Sequence, residues 1–397
     1  MENAANKIAY LDGIRGVAAL MVVLHHFCLA FYIAYYTADV SQSHLHGLEV
    51  AYGQSIFSVC SNGHFAVCIF FVLSGYVLSR KYFLTGELAV LVSGAQRRFI
   101  RLYVPIAAIM IIAFVLMMAG CYRSQEVSGI ANSGIWIGED SVPPHTFFRL
   151  LQCLTYKTML LGDNVFDTSL WTISTELYGS FFVFGFLALA HNTRNRAAML
   201  LLCLVYCFFM KMILASFILG INLNYIDHVK INRNKYVVSG FAVILLLASL
   251  VLGSFPTTTE IRGTLFENMP AWLFVYNFWF HIIGAFLLVL AFVLSPAFQF
   301  VISLRLFRFL GYISFSLYLL HPVIIFTFSC ALFLGVYGHL GYNSSVALVL
   351  VCTILVAMPL AWLMTKYIDG PGIRLAKYCY ARWGKPKPPL TNVDQIV

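Results

Sequence analysis

Arg15 and His26 stand eleven residues apart in an otherwise apolar stretch. At about 100° per residue, eleven steps return to within about 20° of the same helix face, some 16 Å further along the axis. Ionisable groups inside a membrane helix are costly and mark function by default. An imidazole, with an ordinary pKa of about 6.5, can take a proton from a hydroxyl. The neighbouring His25 points about 100° away and is left off that face. The plainer alternative is an Arg that snorkels to the interface and a His hydrogen-bonded within a helix bundle.

Three further groups break the apolar pattern. Ser74 and Gly75 interrupt an aromatic run, where small residues let a helix or a ligand approach closely. Arg98 and Arg101 follow at i,i+3 on one helix face, a spacing suited to clamping phosphate. Plain interfacial anchoring would explain either Arg alone. Glu176 lies in Trp171-Thr172-Ile173-Ser174-Thr175-Glu176, where it could orient the His, cap a helix or pair with Arg15. Asp163 and Asp167 just upstream read as solvated loop acids. Ser314, Tyr318 and His321 follow at i,i+4 and i,i+3 and could line one groove. Pro322 should kink that span.

Membrane helices must hold these groups. Of the 397 residues, 61% are hydrophobic and 10% charged, whereas a soluble domain carries roughly a quarter charged residues. Apolar runs at 14–36, 64–84, 102–120, 169–190, 197–210, 212–227, 236–254, 270–294, 309–334 and 345–366 predict an all-α polytopic membrane protein. About ten transmembrane helices follow, with two short central spans. With the amino terminus cytoplasmic, only Arg123, Arg149, Lys157, Lys211 and Arg262 of the 25 Lys and Arg fall outside. Both termini are then cytoplasmic. Merging the two short spans would put the Lys230–Lys235 cluster outside and break this asymmetry. The basic residues sit at span ends, so the net charge of +9 points to lipid and topology, not nucleic acid.

The outside loop 121–168, with Glu139-Asp140 and Pro143-Pro144, is long enough to cap an outward-facing site. A merely solvated loop is the alternative. The ten cysteines show no metal-ligand spacing. Cys121 and Cys153 could pair if their face is oxidising. Residues 376–397, including Lys385-Pro386-Lys387-Pro388-Pro389, read as a basic tail after a membrane domain over 1–375.

Taken in order, these pieces resemble the integral-membrane acyltransferase type 3 family. Its hallmark is Arg-x10-His, here Arg15 to His26 within Tyr10-Leu11-Asp12-Gly13-Ile14-Arg15-Gly16. Phe70-Phe71-Val72-Leu73-Ser74-Gly75, Arg98-x-x-Arg101 with Pro105, the Trp171–Glu176 box and Gly311 through His321 also look like the family. Tyr367-Ile368-Asp369-Gly370-Pro371 departs from its closing segment by an inserted Gly.

The resemblance implies transfer of an acyl group, commonly acetyl, from acyl-CoA to a hydroxyl of a glycan, lipid or small metabolite. No tightly bound cofactor is implied, since acyl-CoA is a co-substrate. It gives His26 the role of base or transient acyl carrier. Arg15 and Glu176 then join the catalytic group, and Arg98, Arg101, Ser74 and Gly75 the donor site. Trp171, Ser174, Ser314, Tyr318 and His321 would meet the acceptor. The expected setting is a bacterial inner membrane, with a homodimer allowed. The rival reading is a proton-coupled transporter or flippase, but the chain shows no inverted repeat.

Overall fold

The computed structural model describes residues 9–138, 146–193, 195–209, 212–228, 235–257, 261–270 and 277–384. Lys7, Glu139, Asp140, Pro143, Pro144, Arg194, Lys211, Lys230, Arg233 and Lys385 through Pro389 lie outside them. The loop acids, the central basic cluster and the basic tail therefore stay expectations.

The described residues are helical, with α1 Ala9–Phe31, α2 Gly63–Thr85, α3 Leu88–Met118, α4 Trp171–Ala190, α5 Arg196–Phe209 and α6 Ala215–His228. The order continues with α7 Lys235–Gly253, α8 Asn277–Leu294, α9 Arg305–Ile324, α10 Tyr342–Met364 and α11 Gly370–Cys379. Six helical segments are long and apolar enough to cross a membrane: Ala9–Phe31, Gly63–Thr85, Leu88–Met118, Thr168–Ala190, Arg305–Leu340 and Tyr342–Gly384. A seventh counts if Phe278–Leu294 and Pro296–Ile302, bent by 102°, form one span.

The expected ten is therefore not reached on length. Each of the ten apolar runs does contain a helix, but three are short. At 14 residues each, α5 and α6 reach about 21 Å, less than a hydrocarbon core of about 30 Å. The third short apolar segment lies in α7, at Val237–Gly253. The boundary expected at 375/376 falls inside α11, so helix continues past it.

The centre of the bundle is α1 against α9 and α2. Glycine sets the approach of α1 to α9. A Cβ on Gly16 would strike the Gly311 amide and Leu310, and one on Gly311 would strike the Asp12 carbonyl. A Cβ on Gly13 would strike the Ile302 carbonyl. Small residues allow backbones this close, which is how helices gain van der Waals contact in lipid. Ten residues beyond Gly16 comes His26, and ten beyond Gly311 comes His321. Those two rings also meet, so α1 and α9 run parallel and in step.

Pro322 does not break α9. The helix passes through a π-helical turn at Ile325–Ser329 and continues as Cys330–Leu340. The expected kink is absorbed as one widened turn.

Candidate active site

Near the end of α1, His26 Nδ1 lies 2.6 Å from His321 Nε2. The backbone decides which ring donates. Pro322 has no N–H, so the Tyr318 carbonyl loses its helical donor. His321 Nδ1 turns back to the carbonyls of Leu317, at 3.2 Å, and Tyr318. A carbonyl only accepts, so neutral His321 carries its proton on Nδ1 and its Nε2 accepts. His26 Nδ1 then donates, which leaves the His26 Nε2 lone pair free. Among the described residues no side chain hydrogen-bonds that nitrogen. A backbone carbonyl and a second histidine thus fix the tautomer and ring orientation of His26, which is the orienting part of what a carboxylate does for the histidine of a serine hydrolase.

His26 borders a cavity of about 660 Å³. The loop between α3 and α4 supplies much of its wall: Ile135, Trp136, Arg149, Asp163, Asn164 and Thr168. The long loop is therefore part of a vestibule, not merely solvated. Trp136 sits on the one-turn helix Gly134–Ile137 and stacks on His26, with ring centroids 5.2 Å apart and planes 10° apart. Arg149 and Asp163 pair across the wall at 2.5 Å. His64 and Trp171 complete the lining that matters chemically.

Expected to face elsewhere, His25 also borders this vestibule, its ring centroid 5.2 Å from that of His26. It is nonetheless a structural group. Its Nδ1 donates to the Ser61 carbonyl at 2.9 Å, lies 2.6 Å from the Tyr35 hydroxyl, and its ring fills the space a Cβ on Gly63 would need.

Eleven residues earlier on α1, a second polar level forms. Arg98 pairs with Glu176, and Ser74 donates to the same carboxylate oxygen at 2.9 Å. Arg98 Nε also donates to Ser180 at 2.7 Å. Arg15 lies 3.9 Å from Asp12 and within electrostatic range of Arg101 and Glu176. Between the two levels α1 places Ala19 and Val22, both buried in the apolar core.

Several sequence expectations are revised by these contacts. Glu176 orients neither His26 nor Arg15; it holds Arg98. Arg98 is buried and committed, while Arg101 is exposed, so the two do not form an open clamp. Gly75 serves helix packing, pressed against the Phe217 carbonyl of α6. Ser314 returns its hydrogen bond to the Gly311 carbonyl, and Tyr318 bonds Thr172 and the Ser169 carbonyl. Both are buried, so the α9 stripe is not an open groove. Ser174 bonds the Trp171 carbonyl at 3.4 Å and does not border the vestibule, whereas Trp171 does.

Asp167 is also not a solvated acid. It is 2% exposed, accepts from the Ser169 amide and hydroxyl, and burial pushes its carboxyl up to about 7. Cys121 and Cys153 carry free thiols. Trp136 and His64 were not picked out by spacing. The signal for Trp136 was faint, a single indole in a polar loop.

A glycine-tight helix pair, an oriented histidine and a vestibule fit an integral-membrane acyl-transfer enzyme. The chain belongs to the integral-membrane acyltransferase type 3 family, whose "Acyltransferase domain" matches residues 8–366. It is an acyltransferase, and the transporter reading falls away. It is similar to the O-acetyltransferase PaAT-1 of Phomopsis amygdali, with 24% identity over 95% of this chain and 85% of that protein. No solved structure matches.

Proposed function

We propose that this acyltransferase moves an acyl group, acetyl by analogy with its fungal relative, from acyl-CoA to a hydroxyl in the vestibule. The observation that carries this is the unpaired Nε2 of His26, oriented through His321 and placed beside a cavity. In the reaction, His26 Nε2 takes the proton of the acceptor hydroxyl. The hydroxyl oxygen bonds to the thioester carbonyl carbon, the C–S bond breaks, and the proton passes to the departing thiolate. Glycan, lipid and small-metabolite acceptors share this chemistry.

Arg101 is the exposed cation for the donor's phosphates, with Arg15 beside it. Arg98, Glu176 and Ser74 position that corner instead of binding donor directly. This polar corner lies on the face where α1 begins, read as cytoplasmic. Packed Ala19 and Val22 separate it from His26, so donor entry requires the helices to part locally. Which membrane houses the enzyme, and whether it dimerises, belong to the same reading. The relative is fungal, so the bacterial expectation gains no support.

The test is His26→Ala, assayed with labelled acetyl-CoA and membrane extract. Acyl transfer should fall by about 10²- to 10⁴-fold, the range of general base catalysis. Insertion and retention of acetyl-CoA should persist. Wild-type transfer from that variant removes His26 as the base.

A further inference from the structure

The vestibule beside the proposed base is lined in part by Arg149, Asp163, Asn164 and Thr168, polar groups that can bind water able to compete with the acceptor. We infer that Trp136 is a positioning residue that sets the partition between acyl transfer and thioester hydrolysis. The inference rests on the reading of His26 as base.

Two of its contacts hold the plane and angle of the His26 imidazole, beside the tilted ring of His25. His321 holds Nδ1 at 2.6 Å, and the Trp136 indole lies nearly parallel to one ring face. The indole is itself held in place. Ile137, next in the chain, is fully buried with Phe27, Ala131 and Cys330 in a separate apolar cluster. Phe326 meets the indole at 5.1 Å between centroids. Trp136 is thus anchored to the π-helical turn that follows His321. The two restraints on His26 therefore flank α9's proline, His321 just before it and Phe326 just after it.

The vestibule side is polar, with Arg149, Asp163, Asn164 and Thr168. Such a wall offers hydrogen-bond partners to water. The stacked indole holds the ring plane, and with it the in-plane Nε2 lone pair, toward the side where the acceptor docks. It also stops the ring from turning out of the His321 bond. Loss of the indole would let the ring tilt and turn the Nε2 lone pair away from the acceptor and toward water in the vestibule. In that side reaction water's oxygen bonds to the carbonyl carbon and the C–S bond breaks. His26 takes water's proton and returns it to the coenzyme A thiolate, giving a carboxylic acid and a free thiol.

The experiment uses the full chain in nanodiscs with acetyl-CoA. Thiol release without acceptor is measured beside labelling of membrane extract. Trp136→Ala should raise thiol release about tenfold, some 1.4 kcal/mol in barrier, while acceptor labelling falls. Trp136→Phe, which keeps a stacking ring, should restore the wild-type ratio. A purely structural role would lower both products together, and that result overturns the inference. So does thiol release from Trp136→Ala at or below wild type in a folded protein. Should Trp136→Ala not elute as a folded species, Trp136→Leu takes its place. Leu keeps an apolar contact to Phe326 but cannot stack, so its ratio should shift the same way.

His26→Ala in the Trp136→Ala background separates the two readings. Loss of the extra thiol release supports both. Its persistence removes His26 as base, whereas an unchanged ratio in Trp136→Ala with an inactive His26→Ala removes only the role of Trp136.

Discussion

At the scale of single residues, the proposed mechanism has His26 act through neighbours that carry no charge of their own. The chain from the Leu317 carbonyl through His321 to His26 has one consistent proton assignment. His321→Ala leaves His26 in place but frees its tautomer and ring angle. Its kcat should fall by about 10²- to 10⁴-fold, the range for removing a base or its orienting partner. The KM for acetyl-CoA should hold. An unchanged kcat would mean that His26 is not steered from α9. His25→Ala should do the reverse. It should lower stability by about 1–3 kcal/mol, the cost of stranding a buried hydrogen-bonding group, and leave kcat within a few-fold. Steady-state kinetics beside thermal melts read the contrast. The eleven-residue interval made Arg15 and His26 legible. It did not reveal that His25 shares the vestibule, because a 100° offset on a helix still leaves adjacent rings within reach. His321 was visible as a polar residue in a span, but not as the partner of His26. That pairing depends on how two distant helices cross.

Elements decide whether those residues meet. The α1–α9 crossing rests on Gly16 and Gly311. Gly311→Val forces the backbones apart, and overpacking of this kind costs about 1–3 kcal/mol. Activity should fall further than stability, since a small displacement opens the His26–His321 contact. Thermal melts and transfer assays on one preparation compare the two; equal loss would show that the crossing matters only for folding. At the donor corner, Arg98 and Arg101 should part company. Arg98→Ala strands Glu176 in the bundle and should destabilise by about 3–5 kcal/mol. Arg101→Ala should leave stability intact and raise the KM for acetyl-CoA. If Arg101→Ala leaves that KM unchanged, the donor's phosphates bind elsewhere. The i,i+3 rule put both residues on one face, but three residues on a helix still differ by about 60°. That is enough to bury one and expose the other.

For the whole molecule, the helical membrane architecture was legible from composition and run length. The span count was not, because apolar runs measure composition and a membrane measures length. The short α5 and α6 and the bent pair of α8 with Pro296–Ile302 fall between those measures. Stability also carries a global pH signature. Asp167, just before the span that begins at Thr168, holds its proton up to about pH 7 when folded, against an ordinary value of 3.8. Between those values the folded state binds the proton and the unfolded chain has released it. Stability from this group is therefore full below the lower value and is lost as pH rises through the upper one. The difference in melting midpoint between wild type and Asp167→Asn should shift against wild type from about pH 5 to 7.5. A constant difference would show that Asp167 ionises normally.

The matched ten-residue steps from Gly16 to His26 and from Gly311 to His321 carry an evolutionary corollary. Substitutions within those intervals change shape or polarity, but an inserted or deleted codon changes heading. One extra residue turns His26 by about 100° and lifts it about 1.5 Å, so no neighbouring side chain can compensate. These two stretches should tolerate changes of spelling far better than changes of length. Gain and loss of residues would then be confined to the loops, where an acceptor of a different shape could be accommodated without disturbing the base.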